Sequence, residues 1–326
     1  MSARLTNGES GCDIVQLEPA PSISPAAGQA PDTDRIVAID VLRGFALLGI
    51  LVMNIQSVAM PDAAYMNPTA YGEFTGANFR VWLLSHVLAD QKMMTIFSML
   101  FGAGIVLMTG RAKATSGHSA AIHYRRMLAM LVFGLLHGYL LWYGDILYSY
   151  AMCGLVVYLC RNLRPWLLLG LGFISIAIPS VISLFFGWSM QYWPSADKEE
   201  FIHEMWQPTA EMIAEQLAAY RGDWIGEIVH RAPTIWAFQT FFFAIFVAWR
   251  AGGLMLVGMA LFKLGVFSAA RSTATYLTFI TLAILVGIPA ILYGAYGNIQ
   301  AGWDANYSFS FGGEYNYWAS ILVGVG

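Results

Sequence analysis

From Val41 to Met60 the chain is almost unbroken in apolar residues. A run of about 20 such residues is long enough to cross a bilayer as a helix. The pattern recurs at roughly 92–110, 127–143, 145–160, 166–187, 248–267 and 274–295, and an eighth run opens near Tyr317 and reaches Gly326. The periodicity predicts an all-α, polytopic transmembrane helical bundle with about seven complete membrane helices and the start of another. The third and fourth runs are separated only by Gly144 and Asp145, which predicts a tight helical hairpin. The stretch around 234–249 is apolar enough to be the outer part of one long helix, an interfacial helix or an extra crossing.

The polar segments set the organisation. Residues 1–34 are rich in Pro, Ala, Ser, Gly and Asp and lack the basic start and short apolar core of a cleavable signal, so they read as a disordered leader. Residues 35–295 form the helical bundle, with a large outward loop at 188–233. Residues 296–326 form a further outward loop and the beginning of another membrane helix. Arg111, Lys113, Arg125, Arg126, Arg161, Arg164, Lys263 and Arg271 fall in alternate connections. Cytoplasmic loops carry the Lys and Arg excess, so these connections and the N-terminus are expected on the cytoplasmic side of a bacterial inner membrane, with 61–78, 188–233 and 296–316 outside. Near 197–220 an amphipathic helix is expected, with Phe201, Met205, Met212 and Leu217 on one side, lying on the membrane or capping the bundle.

Composition narrows the class further. The 326 residues are 58% hydrophobic and 11% charged, where soluble domains carry roughly 25% charged residues. Such a chain needs lipid as a partner. Its net charge of −3 argues against nucleic acid. Cys12, Cys153 and Cys160 make neither a disulfide framework nor a zinc spacing. No metal site and no tightly bound cofactor are expected.

Against this background, ionisable residues inside apolar runs stand out, because charge is costly there and marks function unless it is paired. Asp40 and Arg43 sit three apart, on one helix face, where they can neutralise each other or hold an anion. Gly44 and Gly49 beside them suit close helix approach. Asn54 lies eleven residues on, about 16 Å along a helix. Lys92, next to Asp90, is a point charge for an anionic group or an anchor. His137 is the best general base by type, and Asp145 either orients it or caps the following helix. His86 is a second candidate. His118, His123, His203 and His230 are expected to be solvated in polar loops. Arg250 is expected near the outer interface.

Several stretches carry a family likeness. RIVAIDVLRGFALLGILVMN, MPDAAYMNPTAYG, KMMTIFSMLFGAG, GLLHGYLLWYGDILYSYAMCGL and GGLMLVGMALFKLGVF, in that order over about 35–295, resemble the YeiB-like family of uncharacterised bacterial inner-membrane proteins. That family is more remotely similar to membrane acyltransferases, including surface-polysaccharide O-acyltransferases and the lysosomal glucosaminide acetyltransferase. Their first helix has a comparable D-x-x-RG start. In the O-acyltransferases a histidine follows the arginine by eleven positions, and here that position is Asn54.

The resemblance suggests acyl transfer from a cytoplasmic donor, acyl-CoA or another phosphorylated donor, to a lipid or saccharide acceptor. Arg43 and Lys92 would hold the donor's anionic part. By residue type rather than by the resemblance, His137 would be the base, Asp145 would orient or charge-stabilise it, and Asn54 would bind the acceptor or an oxyanion. The rival expectations are a transporter or lipid flippase using the intramembrane charges, and a scaffold in which they are structural.

Overall fold

The computed structural model describes residues 37–115 and 118–326. The leader at 1–34 and Cys12 lie outside the described residues. Residues 37–326 form one compact unit, into which 296–326 is packed rather than set apart. The described residues are helical, and no strand occurs among them.

Helix α1 (Val37–Ala59) stops just ahead of Pro61, which cannot continue it. It is followed, after a polar loop, by α2 (Gly76–Leu88) and α3 (Lys92–Thr115). These two make one apolar run, Gly76–Gly110, broken because Gln91 takes a left-handed φ of 62°. Next come α4 (Ser119–Leu140), α5 (Leu147–Val157) and α6 (Pro165–Ser189). Helix α7 runs without interruption over Trp224–Lys263, 40 residues, and α8 over Thr273–Gln300. The last helix, α9, spans Gly313–Val325.

Five helices among the described residues are long and apolar enough to cross a membrane. This is fewer than the seven expected, for a local reason. The hairpin of α4 and α5 does form, but α4 spends its first turns on His123, Arg125 and Arg126, and α5 has only 11 residues. The rival readings of 234–249 resolve into one long helix. At 1.5 Å per residue α7 is about 60 Å long, twice a hydrocarbon core, so part of it must project beyond that layer.

The bundle is built around α7. Every residue from Arg250 to Leu261 is buried, between α3 on one side and α6 on the other. Glycines let the backbones meet. A Cβ on Gly102 would lie 1.9 Å from Met255 O, and one on Gly258 would lie 1.9 Å from Met99 O. On the opposite face Gly253 and Gly172 face each other's carbonyls. Helix α1 packs on α3 through Ile39, Ala46, Ile50 and Met53, while Leu47, Leu48, Leu51 and Val52 stay exposed, as lipid-facing positions do. Gly49 lies against the Met93 side chain, but Gly44 meets nothing among the described residues, so only the first supports the expected close approach.

The three loops expected on one side do converge there. Trp206 donates to Trp303 O at 2.7 Å, Asn67 donates to Trp206 O at 3.0 Å, and Met190, Trp303 and Ala305 close the cluster. The region near 197–220 is two helical pieces, because Pro208 interrupts it and Thr209 caps the second. Met205 and Met212 are exposed and Trp206 is the buried anchor, which corrects the face assigned from the sequence. The region caps the bundle.

Candidate functional site

The Asp40–Arg43 pair sits near the end of the bundle opposite this cap. Arg43 Nη1 lies 3.6 Å from Asp40 Oδ1, and its Nη2 donates to Leu100 O at 3.1 Å. Gly104 makes room for the guanidinium, since a Cβ there would lie 2.3 Å from Nη2. The side chains keep 36% and 40% exposure, so the pair is not sealed and part of Arg43 remains open to a ligand.

The histidine and aspartate of the hairpin do meet. His137 Nδ1 lies 3.0 Å from Asp145 Oδ1. The other carboxylate oxygen accepts the Tyr148 N–H at 2.8 Å, so Asp145 both orients the ring and caps α5. One glycine of α4 makes this possible: a Cβ on Gly134 would strike Tyr148 N at 2.3 Å and come within 2.9 Å of Asp145 Oδ2. The Asp145 side chain is 2% exposed and that of His137 36%. A buried carboxylate holding one ring nitrogen, with the ring's other edge reachable, is the arrangement of a general base.

Asn54 is half-buried on α1, one turn before Ser57. Tyr143 Oη reaches Ser57 O at 3.4 Å, which ties the hairpin turn to that end of α1. Asn54 therefore shares an end of the bundle with His137 and Asp145, while Arg43 lies about 16 Å away along α1. The expected residues fall into two separate groups rather than one.

Lys92 departs from expectation. It is 1% exposed and donates to His86 O at 2.6 Å and to Asn316 Oδ1 at 2.5 Å. Asn316 donates in turn to Asp90 Oδ2 at 2.7 Å, and His86 Nδ1 lies 2.9 Å from the same oxygen. The ammonium pins the α2–α3 break to α9, with two of its donors used by protein acceptors. Arg250 is likewise buried, donating to Tyr317 O and Ser320 Oγ and lying over the Tyr317 ring at 3.8 Å. It is held within the core of the bundle. Asn316 and Arg231 were invisible as sites in the sequence. Arg231, 1% exposed, donates to Leu141 O and Glu227 and closes the C-terminal end of α4.

His123 is also reassigned. It is fully buried rather than solvated, with Nε2 3.0 Å from Gly154 O. The only signal was that it lies four residues before Met127, on the face that α4 buries.

Asp62, in the loop after α1, adds a titratable group beside the His137 end. Burial pushes its carboxyl above the usual range, opposed by hydrogen bonds from Tyr143 and Gln216 and the charge of His230. Burial, with the Asp62 charge second, pushes Tyr220 up to about 12. An acid whose pKa is raised in the fold holds its proton longer there than in the unfolded chain. Ionisation then lowers stability as pH climbs from the ordinary value of about 3.9 through the raised one, and the deficit persists at neutral pH. Asp62→Asn is expected to melt at or above the wild type at pH 7 and to lose that advantage below about pH 3.9. A lower melting temperature at pH 7 would contradict the assignment.

Comparison with known proteins gives relatives without an activity in their names. The chain is 28% identical over 270 residues to uncharacterised protein YeiB of Escherichia coli (strain K12), covering 79% of this chain and 64% of that protein. It is 32% identical over 194 residues to uncharacterised protein YxaH of Bacillus subtilis (strain 168), covering 56% of this chain and 48% of YxaH. An uncharacterised 39.9 kDa protein of Bacillus acidopullulyticus is 33% identical over 126 residues. The chain thus spans less than two thirds of the length of these relatives. No family model matches it, and no solved structure does. The YeiB-like resemblance holds, and with the apolar helices it makes this a multi-pass membrane protein.

Proposed function

We propose that this YeiB-like membrane protein is an acyltransferase of the bacterial inner membrane. It would take an acyl group from acyl-CoA at the basic end, which would face the cytoplasm. It would pass the group to a lipid or saccharide hydroxyl at the capped end. The observation that carries this reading is the 3.0 Å contact between His137 and a buried, helix-capping Asp145. With Nδ1–H donated to Asp145, Nε2 is the free base. It takes the acceptor's hydroxyl proton as that oxygen bonds to the thioester carbonyl carbon. The C–S bond then breaks, and the leaving thiolate takes the proton back from the imidazolium. Asn54 would donate to the oxyanion. Arg43, half open beside Gly104, would hold a donor phosphate with its planar fork of N–H groups. The separation of about 16 Å between Arg43 and the level of Asn54 suits a donor whose thioester is carried on a long arm.

The transport reading draws on the buried Asp90, Lys92 and Arg250. Each of these already has a protein partner, which favours a structural role for them. The test is binding of acyl-CoA to the full chain in nanodiscs. Saturable binding that weakens about tenfold or more in Arg43→Ala is expected, because a charge-assisted hydrogen bond is lost. Absence of binding by folded wild-type protein would overturn the proposal and direct attention to flux measurements.

A further inference from the structure

At the basic end, two polar atoms on neighbouring rings are buried without a hydrogen-bond partner among the described residues: His123 Nδ1 and Tyr158 Oη. Their rings stack at 4.3 Å between centroids and 15° between planes, and Tyr124 packs edge-on against both. His123 is fully buried and Tyr158 is 2% exposed. An unmet buried donor or acceptor costs about 1–3 kcal/mol, so two at one place call for an explanation.

The chemistry of the two atoms restricts what could satisfy them. A carbonyl only accepts, so the contact of His123 Nε2 with Gly154 O places the hydrogen on Nε2. In the neutral ring Nδ1 is then a bare lone pair and needs a donor. The phenol of Tyr158 can donate as well as accept. A hydroxyl group has both capacities, donating to the one and accepting from the other.

The surroundings add charge of one sign. Arg161, half-buried, lies over the Tyr158 ring at 3.8 Å and donates to Tyr158 O at 3.0 Å. Arg126, exposed one turn beyond His123, acts electrostatically on that ring together with Arg161. Lys263 is nearby in the fold, bonded to Leu163 O at 2.7 Å. Among the described residues no carboxylate acts on His123.

We propose that this end of the bundle carries a binding site for an anionic ligand that presents a hydroxyl beside a phosphate. The hydroxyl donates to His123 Nδ1 and accepts from Tyr158 Oη, and the phosphate lies against Arg161 and Arg126. Arg161 is the movable wall, since its guanidinium is held by a carbonyl and a ring face rather than by a carboxylate. Two sources carry this chemistry: the glycerol headgroup of an anionic lipid and the phosphorylated ribose of a nucleotide. The site is independent of acyl transfer, because it requires no reaction.

The experiment uses the full chain in phosphatidylcholine nanodiscs. One arm replaces part of the lipid with phosphatidylglycerol and reads the melting temperature. The other titrates adenosine 3′,5′-bisphosphate and reads heat. Saturable stabilisation or binding in one arm is expected and identifies the source. Tyr158→Phe deletes only the hydroxyl and keeps the ring stack. It should weaken that response about tenfold while leaving the ligand-free melting temperature unchanged or higher. Arg161→Gln should weaken it by a similar factor. A response in neither arm overturns the proposal. So does a response that survives both substitutions. A drop in the ligand-free melting temperature of Tyr158→Phe also overturns it, because the hydroxyl would then have a structural partner, such as a buried water.

Discussion

Gly258→Val is expected to yield no stably folded protein, and Gly102→Ala to lose most of it, measured as the monodisperse, trypsin-resistant fraction after mild solubilisation. The reason is where α3 and α7 cross. Each glycine lies under a backbone carbonyl of the other helix, so that an added Cβ would fall 1.9 Å from Met255 O or Met99 O. Real contacts of that kind need more than 3 Å, so the helices would have to separate by over an ångström along their whole contact. Backbone cannot rotate away as a flexible side chain can. Overpacking a tight core costs about 1–3 kcal/mol and sometimes more. In lipid there is no hydrophobic force between helices to absorb the loss, only the close packing being removed. The separation would propagate, because the other face of α7 meets α6 through Gly253 and Gly172. The control is Gly44→Ala or Gly170→Ala. Among the described residues nothing lies within 4 Å of a Cβ at either position, so both should be neutral or mildly stabilising through the gain in helix propensity. Equal tolerance of all four substitutions would refute this account of the packing.

The second large effect is on turnover. Under the proposed acyltransferase function, His137→Ala is expected to reduce acyl transfer by about 10²–10⁴-fold with donor binding intact, since a positioned general base contributes that much. Asp145 needs a more careful substitution, because it has two duties. Asp145→Ala would remove the cap on α5 as well, at about 1 kcal/mol. Asp145→Asn keeps an oxygen for the Tyr148 N–H but no longer carries the charge that stabilises an imidazolium. It should fold normally and still lose most of the activity. If His137→Ala leaves transfer unchanged, the base is elsewhere. If Asp145→Asn is fully active while Asp145→Ala is not, the carboxylate acts only as a cap.

Much of this was open to a reader of the residues. Eight residues separate His137 from Asp145, and Gly144 permits a tight turn, so their meeting could be anticipated although contact could not. Asp40 and Arg43 share a face in any helix. Lys92 misled for an instructive reason. A lysine at the start of an apolar run looks like an anchor or an anion binder, and its true partner, Asn316, lies 224 residues away. His123 misled because the polar residues around it, Arg125 and Arg126, belong to the outward face of the same helix, while His123 itself points inward.

The sequence by itself determined the all-α polytopic class, the hairpin, the grouping of three loops on one side and the spacing within each helix. These follow from local rules: apolar length, helical period, turn residues and the distribution of Lys and Arg. Only the tertiary structure decided that Arg43 and His137 lie toward opposite ends of the bundle, that 224–263 is one helix, and which buried polar atoms among the described residues go without partners. Those outcomes depend on which helices cross and at what depth. Here the crossings are set by glycines meeting backbone carbonyls of other helices, and no periodicity within a single helix records them.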